Sequence, residues 1–402
     1  MFMPSERIWR EMQSEPAGFW PVPINAGDEY AFLAKLPTNV IKAAYRAAPV
    51  GLDVAIAGSP AGPVLATVLH VADDPASPLG VSGVHRHPEE QAALTEILRA
   101  GHTLFVFFDE LSRPVARAGC VLEPADTVEA LAQIEAKTGW YAGPWSPMLA
   151  EVLDEVDGLA DLTRRALPRH KPTLTRVRLM LTEFETCQIT TVGQHQAIDF
   201  RLDDGDEGHG LEQATWHLLE DLFAGNIFHS PQVVEPGGVR ELTDILGFCP
   251  AGCLLVEAKA AAVLNTGMDR STSRRAGNVR KQIDKGLDQI TGALRNLSAN
   301  RPLLTQSGEP ISRAAGDWRV GVVMVSELLP SVDWEAVARR IAEVAAATAA
   351  WVLVLDLREL RTLVGVSRTP AALLAHCERR YTLTVEAGTA LIRTVLDAPP
   401  PP

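Results

Sequence analysis

The sequence predicts an α/β protein in two parts: an N-terminal α+β domain, then a mixed central sheet flanked by helices. Three observations carry this expectation. At 402 residues the chain is long for one hydrophobic core and suits two. Its 47% hydrophobic and 22% charged residues are those of an ordinary globular protein. Beyond residue 205, helical periodicities and short apolar runs follow one another as α-β-β-α-β-α-β, the pattern of a sheet covered by helices.

The expected division is residues 1–170, a connecting stretch of strands and linker at 171–204, a second domain at 205–397 and a disordered tail at 398–402. In the first part, Gly51 to Asp74 reads as two strands joined by a Ser-Pro-Ala-Gly turn, and His102 to Glu123 as another strand pair. EEQAALTEILRAG between them and TVEALAQIEAKTG after them read as helices ended by glycine. Two prolines and several basic residues from Thr163 to Arg176 mark a linker, with RVRLMLTEF and TCQITTV as strands after it. RLDDGDEGHG (Arg201 to Gly210) reads as a loop leading into a helix from Leu211 to Phe223, where Leu211, Ala214, Leu218 and Leu222 recur at helical spacing. VRELTDIL and CLLVEAKA are short strands, and Asn278 to Leu297 is a long helix. WRVGVVMVSEL and AAWVLVLDLREL are two more strands, separated by the helix DWEAVARRIAEVAAATAA, expected to cover the sheet.

Composition narrows the function classes. A net charge of −13 argues against a general polyanion-coating protein, so any nucleic-acid contact needs a local positive field. No 18-residue apolar span predicts a transmembrane helix. MFMPSERIWREMQSEPAGFW puts charges and prolines where a secretory signal needs an apolar block, so a cytoplasmic location is expected. Five cysteines, few and odd in number, fit a reducing compartment. A phosphate-cradling glycine loop, His-Glu-x-x-His and Gly-x-Ser-x-Gly are all absent. Cys249 and Cys253 lack a second Cys or His pair at zinc-ligand spacing and read as a turn with buried thiols; His85 and His87 read as an exposed loop. Trp140, Tyr141 and Trp145 read as turn-anchored packing rather than a base-stacking platform.

The tripeptide Glu-Ala-Lys occurs twice, and its surroundings separate the copies. Glu135-Ala136-Lys137 lies near the end of a helix, where residues i and i+2 point about 200° apart, so its charges diverge into solvent. Glu257-Ala258-Lys259 follows CLLV, the kind of continuous apolar run that forms a buried strand. On a strand i and i+2 share a face, so Glu257 and Lys259 lie side by side. Asp244 stands thirteen residues before Glu257 in another short strand, across the turn-like GFCPAG, and a returning strand brings the two carboxylates together. Neighbouring carboxylates repel unless a cation neutralises them, and Mg²⁺ accepts sparse carboxylates completed by water. A lysine beside them orients or deprotonates a nucleophile, or compensates transition-state charge.

Asp244 followed by Glu257-Ala258-Lys259 at the end of an apolar strand resembles the PD-(D/E)XK, or restriction-endonuclease-like, nuclease superfamily. A carboxylate-bearing helix before Asp244 and a glutamine-bearing helix after Lys259 extend the resemblance over roughly Gly205 to Leu396. Thr243 stands where the motif's name has proline, as in many members. The resemblance implies a restriction-endonuclease-like sheet and a Mg²⁺ (or Mn²⁺) ion held by Asp244, Glu257 and the Ala258 carbonyl, with Lys259 as catalytic lysine. It implies a further glutamate from the preceding helix, Glu212 in preference to Glu220, and a glutamine from the later one, Gln289 in preference to Gln282. Arg270, Arg274, Arg275, Arg280, Lys281 and Lys285 follow the Lys259 strand as a local basic excess suited to phosphates. The implied activity is phosphodiester hydrolysis, most readily of DNA, in defence or repair. Double-strand cleavage would favour a homodimer. RNA hydrolysis, and a nuclease-derived binding or scaffold module without cleavage, are the rival expectations. The N-terminal half is left to sense a trigger, recruit a partner protein or restrain the nuclease.

Overall fold

Apolar alternation and helix caps set the elements of the computed structural model, which describes residues 4–27, 29–73, 78–160, 169–192, 197–260, 272–312 and 316–394. The described residues divide into two units, one up to Ile189 together with Arg201–Asp203, the other made of the rest. Both are mixed α/β structures. Among the described residues no helix is long and apolar enough to cross a membrane.

The first unit runs α1 (Glu6–Ser14), β1 (Gly18–Ile24), β2 (Glu29–Lys35), α2 (Thr38–Tyr45), β3 (Val50–Ala57), β4 (Val64–Val71), β5 (Leu79–Val84) and α3 (Pro88–Ala100). It continues with β6 (His102–Phe108), β7 (Pro114–Leu122), α4 (Pro124–Glu135), α5 (Pro147–Ala160) and β8 (Thr173–Thr186). Its eight strands form one sheet in the order β1-β2-β6-β7-β8-β3-β4-β5, with β2 and β6 parallel and the other neighbours antiparallel. The two strand pairs and two helices expected here all form. One expectation needs correction: β8 falls in the stretch 171–204 assigned to a connection, yet it lies inside this sheet between β7 and β3. Its alternating Thr175, Val177 and Leu179 are buried, and Pro172 precedes the strand, so its ladder is uninterrupted. Of the linker expected from Thr163 to Arg176, residues 163–168 lie outside the described residues.

After β9 (Gln188–Val192) and β10 (Ala197–Arg201), which pair with each other, come α6 (Glu207–Phe223), β11 (Ile227–His229), β12 (Gln232–Glu235), β13 (Gly238–Glu241), β14 (Ile245–Cys249) and β15 (Gly252–Lys259). Next are α7 (Thr272–Ser298), β16 (Leu303–Leu304), β17 (Trp318–Val325), α8 (Trp334–Thr348), β18 (Trp351–Leu355), α9 (Leu357–Val366) and α10 (Pro370–Ala387). The main sheet has the order β11-β14-β15-β17-β18, antiparallel as far as β15 and parallel from β15 to β18. Strands β13-β12-β16 form a small sheet of their own.

Three boundaries differ from the sequence expectation, each for a local reason. The expected loop before α6 contributes its first turn, because the Asp206 carboxylate accepts the His209 N–H and caps the helix at Glu207. VRELTDIL is divided: Gly238–Glu241 pairs with β12, whereas Ile245 begins pairing with β15, leaving Asp244 at the corner. The long helix starts at Thr272, so Arg274 and Arg275 belong to it and not to a loop. The main sheet is buried on both faces. Cys253 and Leu255 of β15 pack with Ile283 and Leu287 of α7, while Leu254 and Val256 face Leu219 and Phe223 of α6. Cys249 and Cys253 fall on opposite faces, which agrees with two separate buried thiols rather than a zinc pair.

Candidate active site

Strands β14 and β15 form a hairpin joined by Pro250-Ala251, with its register running from Cys249 opposite Gly252 to Ile245 opposite Val256. One residue further along, Asp244 meets Glu257. Alternation then aims the site: Leu255 packs on the α7 face, so Glu257 and Lys259 share that face. The Asp244 Oδ2 atom accepts the Ala258 N–H at 2.6 Å, which anchors the corner to the end of β15.

Lys259 gathers the site. Its Nζ donates to Glu257 Oε2 at 2.8 Å, to the Ala258 carbonyl at 3.2 Å and to Asp244 Oδ2 at 3.5 Å. The side chains of Glu257, Lys259 and Asp244 are only 3, 11 and 18% exposed, so water screens them weakly. Burial first, and the charge of Asp244 second, push the Glu257 carboxyl up to about 7. Burial likewise raises Asp244, against the pull of Lys259. Burial works against the charge of Lys259, but Glu257 and Asp244 outweigh it and hold the ammonium above the ordinary lysine value. Burial outweighs the ammonium at both carboxylates, and the charge of Asp244 adds to the rise at Glu257.

The three oxygens around Lys259 Nζ are those the resemblance assigns to a metal: Asp244, Glu257 and the Ala258 carbonyl. The ammonium thus stands in for a cation, and the donor set fits a hard divalent ion. Among the described residues no group of three or more His, Cys, Asp or Glu side chains converges on one point. Two carboxylates, a carbonyl and water form the sparse oxygen set that Mg²⁺ takes, and that Mn²⁺ shares.

The helices discriminate between the alternative residues. Helix α6 packs on the opposite face from the trio and ends beside β11, so its N-terminal part lies towards the His229 end of that strand. Glu212 accepts from His229 Nε2 at 2.5 Å, and His229 pairs with Ile245, next to Asp244. The hydrogen bond to Glu212 raises His229 above the ordinary histidine range, and Asp244 adds to the effect. Glu212 therefore reaches the edge of the site through His229, without bonding the trio. Glu220, eight residues and about 12 Å along the helix, is buried against His217 at 3.1 Å. His229 is a site residue for which the sequence gives no signal. No spacing motif marks it, and only the pairing of β11 with β14 brings it to Asp244.

On α7, Gly286 lies so close to Val323 that a Cβ would come within 2.5 Å of it, and Val323 is level with Glu257. Ile290 is similarly close to Gly321, level with Leu255. The helix therefore runs antiparallel to β15. Gln282 lies one turn beyond Gly286 towards Lys259 and is half-buried; Gln289 lies towards the other end and is exposed. The placement favours Gln282 and goes against the sequence preference for Gln289.

The basic residues do not act alike. Arg270 lies outside the described residues. Arg275 is committed to Glu327 at 3.0 Å and Arg280 to Asp284 at 3.0 Å. Arg274, Lys281 and Lys285 are exposed, make no ion pair among the described residues and share one stripe of α7 at helical spacing. Compared with known proteins, the chain matches no family model, no curated protein and no solved structure.

Proposed function

We propose that the second unit is a restriction-endonuclease-like domain and that the protein is a Mg²⁺- or Mn²⁺-dependent nuclease hydrolysing phosphodiester bonds of DNA. One observation carries the reading: Asp244, Glu257 and the Ala258 carbonyl converge on a single cation, and that cation is the lysine of the same motif. A divalent ion held by these oxygens supplies an acidified water and stabilises charge on the attacked phosphate. Asp244 and Glu257 hold the ion, and the Ala258 N–H fixes the rotamer of Asp244. With a divalent ion held by Asp244 and Glu257, the Lys259 ammonium would be free to face the phosphate. A donor with three N–H bonds at this spot compensates the negative charge that builds on the phosphate. Gln282 supports the positioning of the nucleophile from above, and Arg274, Lys281 and Lys285 offer a track for phosphates along α7. DNA as substrate, and a place in defence or repair, follow from the resemblance.

The test uses purified protein with supercoiled plasmid, in Mg²⁺ or EDTA, with Lys259→Ala in parallel. Nicking or linearisation that needs both Mg²⁺ and Lys259 is the expected result. Intact plasmid, single-stranded DNA and RNA, with DNA binding equal in both proteins, would sink the nuclease reading and leave a binding module.

A further inference from the structure

A second site lies wholly within the first unit, at a cavity of about 930 Å³. Its walls are the end of β3, the Ser59 turn, the residues just after α4 and the segment entering β8. Lys137, Arg169, His170 and Lys171 line it together with Ser59 and Gln133, and among the described residues no carboxylate does. Three formally positive side chains, Lys137, Arg169 and Lys171, thus meet at one cavity in a chain of net charge −13. Two carboxylates stand behind this wall: Glu151 lies 3.9 Å from Arg169 and 3.6 Å from His170, and Glu155 accepts from the backbone of both. Lys137 and Lys171 are exposed and make no ion pair among the described residues.

The basic wall is held in place. His170 accepts the Gly58 N–H on its carbonyl at 3.0 Å, and its Nδ1 meets the Gly58 carbonyl at 2.9 Å. The Glu155 carboxylate accepts the backbone N–H groups of Arg169 and His170 at 2.6 and 2.8 Å. This fixes the ring, and its Nε2 is shielded from solvent without a hydrogen-bond partner. Lys171 sits at a φ of 42°, a left-handed conformation that lysine rarely adopts and that local anchoring sustains. Ile56 and Ala57, both buried, add an apolar part to the lining.

We infer that this cavity binds a phosphorylated small molecule of nucleotide size. Its phosphates meet Lys137, Arg169 and Lys171, and its uncharged part rests on the end of β3. A volume near the upper end of those of small-molecule sites far exceeds what inorganic phosphate fills. The inference is independent of the nuclease reading, since it uses none of the same residues.

The test is calorimetric titration of the full chain with ATP in EDTA at physiological ionic strength, comparing wild type, Lys137→Glu/Lys171→Glu and Lys259→Ala. One saturable site is expected in the wild type, with affinity at least tenfold lower in the double variant and unchanged in Lys259→Ala. Both substituted lysines are exposed, and an unchanged ligand-free melting temperature checks the fold; Lys137→Gln, expected to weaken ATP two- to fivefold, serves if the double variant misfolds. Failure of ATP, ADP and pyrophosphate to saturate the wild type, or equal affinity in all proteins, overturns the inference. Tighter binding of a 5′-phosphorylated oligonucleotide than of ATP, lost in the same variant, overturns the small-molecule assignment.

Discussion

Glu135-Ala136-Lys137 and Glu257-Ala258-Lys259 carry the same three side chains into different surroundings. The first copy closes α4 in solvent, where Glu135 turns to Arg99 at 2.9 Å and Lys137 leaves in another direction. The second closes a buried strand, where Glu257 and Lys259 meet at 2.8 Å and Asp244 joins them from the neighbouring corner. The difference comes from backbone geometry and dielectric. The αR cap at Ala136, which ends α4, sends Glu135 and Lys137 apart, whereas a strand aligns i and i+2, and burial multiplies the charge interaction that solvent weakens.

The largest expected effect separates the copies by activity. Asp244→Asn and Lys259→Ala should each lower Mg²⁺-dependent plasmid cleavage by ~100-fold or more, while Glu135→Gln should leave it unchanged. Equal losses from both copies would remove the distinction drawn here.

Metal binding should also act on the second copy alone. Saturating Mg²⁺ at about 100 times its Kd contributes ~2.7 kcal/mol, enough to raise the melting temperature of the second unit by roughly 5 °C. The same titration should move Asp244→Asn little. A wild-type midpoint indifferent to both Mg²⁺ and Mn²⁺ would speak against the ion site.

The next effect depends on pH. Glu257, with an ordinary carboxyl value of 4.5, is pushed up to about 7 in the fold. The folded state therefore keeps a proton that the unfolded chain releases. This contribution is complete below the unfolded value and is lost as pH rises through the folded one. Metal-free wild type should thus lose on the order of 2 kcal/mol between about pH 5 and 8, and Glu257→Gln should lose less. Urea unfolding in EDTA at both pH values measures this; a wild type that gains more stability than the variant on going to pH 8 reverses the sign.

The smallest effect concerns the glutamines. Gln282→Ala should lower cleavage by roughly tenfold, within the range of a positioning contact, and Gln289→Ala should not. Matching losses would mean that the level of Gly286 against Val323 is a poor guide to the site.

Much of this was legible in the residues. CLLV predicts a buried strand and GFCPAG its hairpin, and together they place Asp244 beside Glu257, in agreement with the register of β14 and β15. Burial followed apolar runs because strands buried on both faces need continuous hydrophobicity. Helix starts were missed where a cap lies outside the apolar pattern, as at Asp206. The choice between Gln282 and Gln289 was illegible because residues seven apart share a helix face, and only the packing height of α7 tells them apart.

By itself, then, the sequence determined the local elements, the two-part layout and the identity of the acidic pair with its lysine. These depend on periodicity and on spacing over a short hairpin. Tertiary structure alone decided that β8 belongs inside the first sheet, that His229 brings Glu212 to the edge of Asp244, and that Lys137 shares a cavity with Arg169 and Lys171. Such contacts join residues far apart in the chain, and strand order, set by packing of whole faces, leaves no periodic trace in the residues it unites.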